Sequence, residues 1–279
     1  MASIPHDALR ARHAAVLNQP SWSGRLLALG AVVLLVFGMW HLGFSFTKFF
    51  TGLASLGKFV MLMFPPDWGD STSLWRYTRA LAETVAIAFL GTMLAAVIAF
   101  PLSLIAARNT TVSQILRFFA RRGFDTLRGV DTLVWALIWV NVVGLGPFAG
   151  VLAIAISDIG SFGKLFSEAI EASDKRPIDG VIASGGSRLH AIRFGILPQV
   201  APVLISQYLY YFESNTRSAT IIGIVGAGGI GLQLSEQIRT LEWQTVSFLI
   251  IMILATVSVI DLISTRLRTA IAGSAPPKP

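Results

Sequence analysis

Long uncharged blocks alternate with short polar segments along this chain. Asp, Glu, Lys and Arg are absent from residues 26–46, 84–107, 132–157, 194–212 and 244–260. Because a helix needs about 20 mostly apolar residues to cross a bilayer, several of these blocks predict membrane spans. A soluble protein with several buried helices would need amphipathic helices to cover them, and too few are present. The pattern therefore predicts an all-α fold, a polytopic transmembrane helical bundle.

The third and fourth spans are predicted to be separate. GLGPFAG (144–150) interrupts an apolar block of 26 residues, and a proline among glycines breaks or kinks a helix. The positive-inside rule favours the same division, because six spans place 15 Lys and Arg inside and 6 outside, whereas five place 10 inside and 12 outside. We expect about six spans and cytoplasmic termini. The spans are predicted at 25–46, 78–107, 124–144, 147–170, 193–214 and 243–264.

The membrane domain is predicted to occupy most of the chain. The first apolar run is interpreted as an uncleaved span, because it is long and no small-residue cleavage site follows it. Lys164 and Glu168, spaced i, i+4, can pair within the fourth span. The basic stretch 117–128 is interpreted as a topology signal that touches anionic lipid. The predicted parts are a cytoplasmic tail (1–24), the first span with an outward loop (25–77), the membrane domain (78–268) with a loop at about 172–192, and a disordered tail (269–279).

Composition argues against several classes of function. The formal net charge is +7, but the basic residues lie at the ends of apolar blocks, where membrane topology places them. We therefore do not expect nucleic-acid binding. Cysteine is absent and the four histidines are scattered, so neither a thiolate metal site nor a histidine metal site is predicted. No catalytic set of residues is recognised either.

One glycine-rich string resembles an enzyme motif. GAGGIG (226–231) fits G-x-G-x-x-G, but that fingerprint needs a βαβ unit and an acidic residue about 20 positions further on. The acids Glu236 and Glu242 come too early. Five glycines within 223–231 make a lipid-exposed helix costly, so 218–235 is expected to be an outward loop or short helix packed over the pathway. Two interpretations remain open, close packing and a moving gate. The glycines concerned are Gly226, Gly228, Gly229 and Gly231.

A second segment carries a family resemblance. Residues 171–198 read EASDKRPIDGVIASGGSRLHAIRFGILP, which resembles the coupling loop (EAA loop) of binding-protein-dependent ABC importers. Its consensus is E-A-A, three residues, Gly, nine residues and I-x-L-P. Asp179, Gly180 and Val181 stand at the E-A-A position, Gly185 at the glycine, and Leu197-Pro198 at the end. Both alanines and the isoleucine differ from the consensus.

This resemblance implies a mechanical role for the loop. In such importers it forms two short helices that dock in a groove of the ATPase subunit. Gly185 would permit the turn between them, and Asp179 would pair with a basic ATPase residue. The alternative is an ordinary solvated loop.

Four further strings are similar to the permeases of phosphonate importers: GLGPFAGVLA (144–153), SEAIEA (167–172), FESNTRSATIIGIVGAGGIG (212–231) and SVIDLISTRLR (258–268). The resemblance implies a homodimer, two cytoplasmic ATPase subunits and an extracytoplasmic binding protein that delivers phosphonate. The chain has no G-x-x-x-x-G-K-[ST] motif. ATP and Mg²⁺ are therefore expected on the partner ATPase, with no cofactor on this chain and no enzymatic activity of its own.

An anionic substrate needs polar groups and some positive charge along its pathway. We expect Arg217 to attract the anion where the fifth span emerges on the outward side, while Glu213 at i−4 restrains its field. A purely structural Glu213–Arg217 pair is the alternative. The pathway candidates beside this pair are Asn215, Ser218 and, less directly, Asn141, since a buried Asn more often joins helices.

Other functions remain open from the sequence. An importer of the same architecture could carry phosphate, phosphite or methionine. An ion-coupled carrier should show internal repeats, and none is evident. An intramembrane enzyme would need clustered Asp, His or Ser at membrane depth, but Asp158 and Asp261 are far apart in sequence.

Overall fold

The computed structural model describes residues 22–273. The chain divides into two units, Met1–Met61 and Leu62–Pro279. In the first, α1 (Trp22–His41) is apolar around its whole circumference and its large side chains are exposed, as expected of a helix that contacts lipid. It is followed by α2 (Phe46–Leu62), an amphipathic helix that carries Lys48 and Lys58. Residues 1–21, most of the predicted N-terminal tail, lie outside the described residues.

The second unit is a bundle of helices, and no strand occurs within 22–273. A π-helical segment, Ala191–Ile196, connects the short helix Arg188–His190 to the long helix that begins at Leu197. The helices are α3 (Ser71–Ala106), α4 (Gln114–Arg128), α5 (Thr132–Val143), α6 (Pro147–Glu171), α7 (Lys175–Ala183), α8 (Arg188–His190), α9 (Leu197–Ile224), α10 (Ile230–Arg239) and α11 (Trp243–Gly273).

The number of spans agrees with the sequence prediction. Five helical stretches among the described residues are long and apolar enough to cross a membrane, and the α4–α5 pair makes a sixth if it counts as one broken span. The five are Gly24–His41, Ser71–Ala106, Pro147–Glu171, Arg188–Ile224 and Trp243–Ile271.

The predicted third span, 124–144, is wrong as a single helix. Its first part belongs to α4, which is bent by 87° from α5. The apolar helix begins only at Thr132, where the Asp131 carboxylate accepts a hydrogen bond from the backbone N–H of Leu133 at 2.8 Å. The preceding stretch carries Arg121, Arg122, Asp125 and Arg128, and so many charges are costly in hydrocarbon.

Other predicted boundaries also move. The outward loop expected before residue 78 is mostly helical. Helix α2 extends as far as Leu62, and α3 already begins at Ser71, where the Asp70 carboxylate accepts a hydrogen bond from the N–H of Ser73 at 2.8 Å. At the far end, α11 continues to Gly273, through the first residues of the predicted disordered tail. The break before α6 is confirmed: Gly144 and Gly146 have φ of 93° and 137°, and Pro147 opens the helix.

Small side chains let α3 and α6 pack closely. Ala95 and Ala99 of α3 are fully buried against Phe162 and Phe166 of α6. The Tyr211 ring of α9 lies 4.7 Å from the Phe162 ring, tilted by 49°, and closes this layer. Close approach of helices through small residues is the usual way that helices associate in a membrane. The central layer of the bundle is therefore α3, α6 and α9.

Helix α4 is anchored by a cluster of charges at the end of α6. Glu171 lies 2.8 Å from Arg121, 3.7 Å from Arg117 and 4.0 Å from Arg108. Arg117 and Arg121 also donate to the carbonyl of Ala106 at the end of α3, each at 3.2 Å. Two arginines of the predicted lipid-binding stretch 117–128 are therefore occupied within the protein.

Lys164 provides a further correction. Its ammonium pairs with Asp125 of α4 at 3.3 Å, and the expected pair with Glu168 is not formed. Helix spacing made the Glu168 pair possible, but the sequence could not show that α4 packs across this part of α6 and brings Asp125 closer.

Candidate functional site

The predicted coupling loop forms a compact helix–turn–helix at one end of the bundle. Asp174 caps α7 by accepting from the N–H of Arg176 at 3.1 Å. The turn that follows α7 contains Gly185 with φ of 86°, a conformation that favours glycine. Ser187 and His190 then form a capping box that starts α8. The two short helices and the turn at Gly185 that the resemblance implied are thus present.

Gln199 holds the two ends of this loop together. Its Oε1 accepts from the backbone N–H of Asp174 at 2.9 Å, while its Nε2 donates to the carbonyls of Asp174 and Gly195 at 3.1 and 2.6 Å. Leu197 and Pro198 form the first turn of α9 beside these bonds. These bonds fasten the start of α7 to the start of α9.

The loop presents one surface to solvent. Asp179 and Gly180 are exposed on α7, and a side chain added at Gly180 would meet only open space. On the opposite side, Ile178 packs against Gly195 and so fastens α7 to the π-helical segment. The exposed surface of the loop therefore lies on the side of α7 away from the π-helical segment.

At the other end of the bundle, the glycine loop joins α9 to α10. Gly226, Gly228 and Gly229 have φ of 98°, 84° and 75°, whereas Gly231 lies in the first turn of α10. A Cβ at Gly228 would lie 2.8 Å from the backbone nitrogen of Pro147, and one at Gly231 would collide with the Thr220 carbonyl. The glycines are therefore required both by backbone conformation and by close packing.

The prediction for residues 218–235 is partly wrong. Residues 218–224 continue α9 instead of forming a loop, and the loop itself is limited to Val225–Gly229 before α10 begins. One face of this last part of α9 is buried in the bundle, through Thr216, Ala219 and Thr220. Its single glycine, Gly223, is buried as well, in line with the high cost expected for glycine in a lipid-exposed helix.

The N-terminus of α10 receives a carboxylate from the protein itself. Glu83 accepts from the N–H of Gly229 at 2.9 Å, and the Thr84 hydroxyl accepts from the N–H of Ile230 at 2.7 Å. Free amides and the helix dipole attract anions at such a position. In a dinucleotide fold a pyrophosphate would lie there, whereas here Glu83 of α3 takes that place.

Glu213 lies at the centre of a three-residue charge cluster, the Glu213 cluster, formed with Arg217 and Arg268. Its Oε1 is 3.4 Å from Nη1 of Arg217, and its Oε2 is 3.0 Å from Nη2 of Arg268. The Glu213 side chain is 9% exposed, that of Arg268 27% and that of Arg217 50%. The predicted Glu213–Arg217 pair is present, and Arg268 is an additional partner.

The helix that carries this cluster is longer than predicted. The sequence predicts that the fifth span ends at 214, but α9 continues to Ile224, about two turns beyond Arg217. The cluster lies on the candidate span Arg188–Ile224, and its place on the outward side stays a prediction.

Asn215 belongs to a different contact. Its Nδ2 donates to Oδ2 of Asp158 at 2.5 Å and to the Thr92 hydroxyl at 2.8 Å, and it is 5% exposed. Residues i and i+2 point to nearly opposite sides of a helix, so Asn215 cannot share the exposed face of Arg217. In this structure it joins α3, α6 and α9, and its role along a pathway stays a prediction.

The remaining pathway candidates are not brought into the Glu213 cluster. Asn141 is exposed on α5 and donates to the Leu137 carbonyl of its own helix at 2.7 Å. The Ser218 hydroxyl donates to the Ser214 carbonyl at 3.4 Å. The Asn141 amide and the Ser218 hydroxyl are therefore each hydrogen-bonded to a carbonyl of their own helix.

Sequence reasoning missed five residues that organise these sites. Their partners lie on other helices, which spacing along one helix cannot show. For Asp158 the available signal is an acid at the end of a long apolar block. For Arg268 the sequence offers only a positive charge near the end of the sixth span, on the predicted cytoplasmic side. The five are Glu83, Thr92, Asp158, Gln199 and Arg268.

Together these features define a polytopic helical permease with an exposed coupling loop at one end. Residues 99–273 match the model of the family described as binding-protein-dependent transport system inner membrane component. That range includes the coupling loop, the Glu213 cluster and the glycine loop. The chain belongs to this family, which makes it a multi-pass component of an ABC importer.

Several relatives with similar sequences are named as transport permeases. HtxC of Stutzerimonas stutzeri, whose name places it in phosphite transport, is 42% identical over 246 residues, covering 88% of this chain and 86% of the relative. The phosphite transport system permease protein PtxC of the same organism is 35% identical, covering 88% of each chain. The phosphate-import permease protein PhnE of Mycolicibacterium smegmatis is 37% identical over 77% of this chain and 40% of its own.

A solved structure shows the same fold. The permease of the MetNI methionine ABC transporter, in an inward-facing conformation, superposes with a TM-score of 0.61 at 17% identity. The match covers 73% of this chain and 99% of that one. At this identity the likeness establishes the architecture of an ABC importer permease.

Proposed function

We propose that this chain forms the membrane pathway of an ATP-driven importer for a phosphorus oxyanion, namely a phosphonate, phosphite or phosphate. The names of the relatives support this substrate class. The exposed coupling loop supports ATP-driven operation, since it offers two short helices to a partner subunit. ATP and Mg²⁺ belong to that ATPase. The chain itself binds no cofactor and catalyses no reaction.

The coupling-loop end faces the cytoplasm in this proposal. The distribution of Lys and Arg supports that orientation. Without Arg217 and Arg268, which meet at Glu213, the inside segments of a six-span arrangement still hold 14 Lys and Arg and the outside segments 5. Both termini are then cytoplasmic. The glycine-loop end faces outward, where a separate binding protein delivers the substrate.

The exposed, positively charged side chain of Arg217 is the observation that supports an anionic substrate. Half of its side chain is exposed on α9, a helix that we propose crosses the membrane. A charged side chain facing hydrocarbon costs at least about 2.5 kcal/mol, so such residues almost always face water or protein. An aqueous pathway with a positive charge suits a small anion.

A second copy of the chain completes this pathway. Tyr210, Ile221 and Ile224 share the exposed face of α9 with Arg217, and each is more than 40% exposed. A two-fold related copy would cover the apolar residues and leave both Arg217 side chains facing a common axis. The pathway then runs between the subunits of a homodimer.

Substrate-stimulated ATP hydrolysis tests the proposal. The complex of this chain with its cognate ATPase and binding protein would be reconstituted in vesicles with methylphosphonate, 2-aminoethylphosphonate, phosphite, phosphate or methionine. Stimulation by one or more phosphorus oxyanions is expected. Stimulation by methionine alone would leave the importer but reject the substrate class, and failure to assemble with an ATPase would reject the coupling role.

A glycine substitution tests the coupling loop. Gly185→Leu places a side chain at φ of 86° and should abolish uptake with membrane insertion intact. Gly43→Leu is the matched control, because Gly43 has φ of 65°, equally open surroundings and a place in the first unit. Normal uptake by the Gly185→Leu complex would reject the role of the turn.

A further inference from the structure

We propose that Arg268 sets the charge of the pathway by holding the Glu213 carboxylate, which leaves the Arg217 guanidinium available to a passing anion. This role rests on the function proposed above. Arg268 is a positioning residue in this scheme, since it acts on the anion through Glu213 and Arg217. The sequence offered only the i, i+4 spacing, in which Glu213 would restrain Arg217.

The two arginines do not share Glu213 equally. Arg268 donates from Nη2 to Oε2 at 3.0 Å, within the usual range of a charge-assisted hydrogen bond. Arg217 reaches only the other oxygen, Oε1, through two contacts of 3.4 and 3.5 Å. The tighter bond therefore lies across helices, between α9 and α11.

Arg268 is also the better fixed of the two. Its Nη2 donates to the Thr265 hydroxyl at 3.1 Å, and its guanidinium lies 5.8 Å from the centre of the Tyr210 ring. One helical turn earlier, Ser264 ties α11 to α9 through the carbonyl of Leu209 at 3.2 Å. These contacts place the guanidinium of Arg268 beside Glu213.

Arg217 has fewer constraints. Among residues 22–273, Glu213 is the one side chain to which Arg217 hydrogen-bonds, and the guanidinium is the most exposed group of the cluster. A long contact to one oxygen leaves most of its five N–H donors free. Planar guanidinium groups match the oxygens of phosphonate, phosphite and phosphate well.

Charge explains why both arginines are needed. With one carboxylate and two guanidinium groups, the cluster carries a surplus of one positive charge. Without Arg268, Glu213 would neutralise Arg217 at i+4. Without Glu213, two unpaired arginines would hold an anion more strongly, and a pathway must bind weakly enough to release.

A set of charge variants in the complete transporter tests this role. Uptake of phosphite or methylphosphonate would be measured in vesicles, together with ATP hydrolysis, at saturating binding protein. Arg268→Gln should lower uptake per ATP hydrolysed by about tenfold, the effect of one charge-assisted hydrogen bond. Arg268→Lys keeps the charge beside Glu213 and should remain within about threefold of the wild type on the same scale.

Two double variants separate position from net charge. Both leave one positive charge in the cluster: Glu213→Gln/Arg268→Gln leaves Arg217, and Glu213→Gln/Arg217→Gln leaves Arg268. The first should regain most of the lost uptake, whereas the second should remain low. Neither double variant contains an unpaired carboxylate, so poor assembly of Arg268→Gln alone would not end the test.

The outcomes distinguish the two proposals. Equal uptake by both double variants, or wild-type uptake by an assembled Arg268→Gln complex, would overturn the role of Arg268. Recovery only in the double variant that keeps Arg268 would make Arg268 itself the anion contact and also overturn it. If the wild-type complex transports no phosphorus oxyanion at all, the proposed function fails before the variants are compared.

Discussion

Glu171 and Glu213 are each surrounded by more arginines than carboxylates, but their surroundings differ. Glu171 ends α6 with its side chain 22% exposed, and three arginines of the α3–α4 region approach it. Glu213 lies inside α9 with its side chain 9% exposed, and two arginines approach it. The first cluster lies at the ends of helices, whereas the second lies within a helix that is long and apolar enough to span a membrane.

This difference determines what the surplus charge can do. Water and salt screen the extra positive charges around Glu171 within about 8 Å at physiological ionic strength. That cluster therefore acts mainly to fasten α4 to the ends of α3 and α6. The Glu213 carboxylate is only 9% exposed, so water and salt screen it less, and the pathway proposed above brings water to the Arg217 side of the cluster. The surplus charge at Glu213 consequently favours an anion in the pathway.

The largest effect on stability is expected from Glu213→Gln. It leaves Arg217 and Arg268 without a carboxylate, and removing one partner of a buried ion pair costs about 3 kcal/mol or more. The apparent thermal midpoint of the purified complex should fall clearly. Glu213→Gln/Arg268→Gln is the control, since it removes one of the two unpaired charges and should recover part of the loss. An unchanged midpoint for the single variant would show that Glu213 is not the buried ion-pair partner of the two arginines.

A smaller effect is expected from Glu171→Gln. This carboxylate accepts charge-assisted bonds but is partly exposed, so its loss should cost about 1–2 kcal/mol. The effect should shrink as salt is raised, because water reaches this cluster. Comparing unfolding at low and high salt for both glutamate variants would sharpen the contrast. Equal salt dependence at Glu171 and Glu213 would contradict it.

The smallest effect is expected from Arg122→Gln. Arg122 pairs with Asp125 at 3.4 Å on the exposed side of α4, and its side chain is 66% exposed. Surface substitutions of this kind usually change stability by less than about 0.5 kcal/mol. The same thermal measurement serves as the check. A larger loss would indicate that this side of α4 packs against a partner in the assembled transporter.

Patterns along the chain predicted the helical architecture well. Uncharged blocks of span length predicted the membrane helices, because no other element satisfies its own backbone hydrogen bonds in lipid. The break before Pro147 and the turn at Gly185 were also predictable, since proline and positive-φ glycine have local conformational requirements. These features depend on the properties of neighbouring residues.

Tertiary partners were not predictable in the same way. Asp158 and Asn215 are 57 residues apart, and Glu213 and Arg268 are 55 apart. No helical spacing relates such residues, so the sequence suggested only the local pair Glu213–Arg217. The bend at residues 128–132 was missed for a related reason. Hydropathy averaged over a window conceals a change of direction between a charged helix and an apolar one.

The bonds from Gly229 and Ile230 to Glu83 and Thr84 have a mechanical consequence. They join the start of α10 to α3, while the glycine loop also accepts a hydrogen bond from Gly146 through the Gly226 carbonyl at 2.9 Å. Separating these helices would break the hydrogen bonds of the Glu83 carboxylate and of the amides of Gly229 and Ile230 together, and buried polar groups without partners are costly. This end of the bundle should therefore move as one rigid body during transport, with bending confined to other parts of the helices.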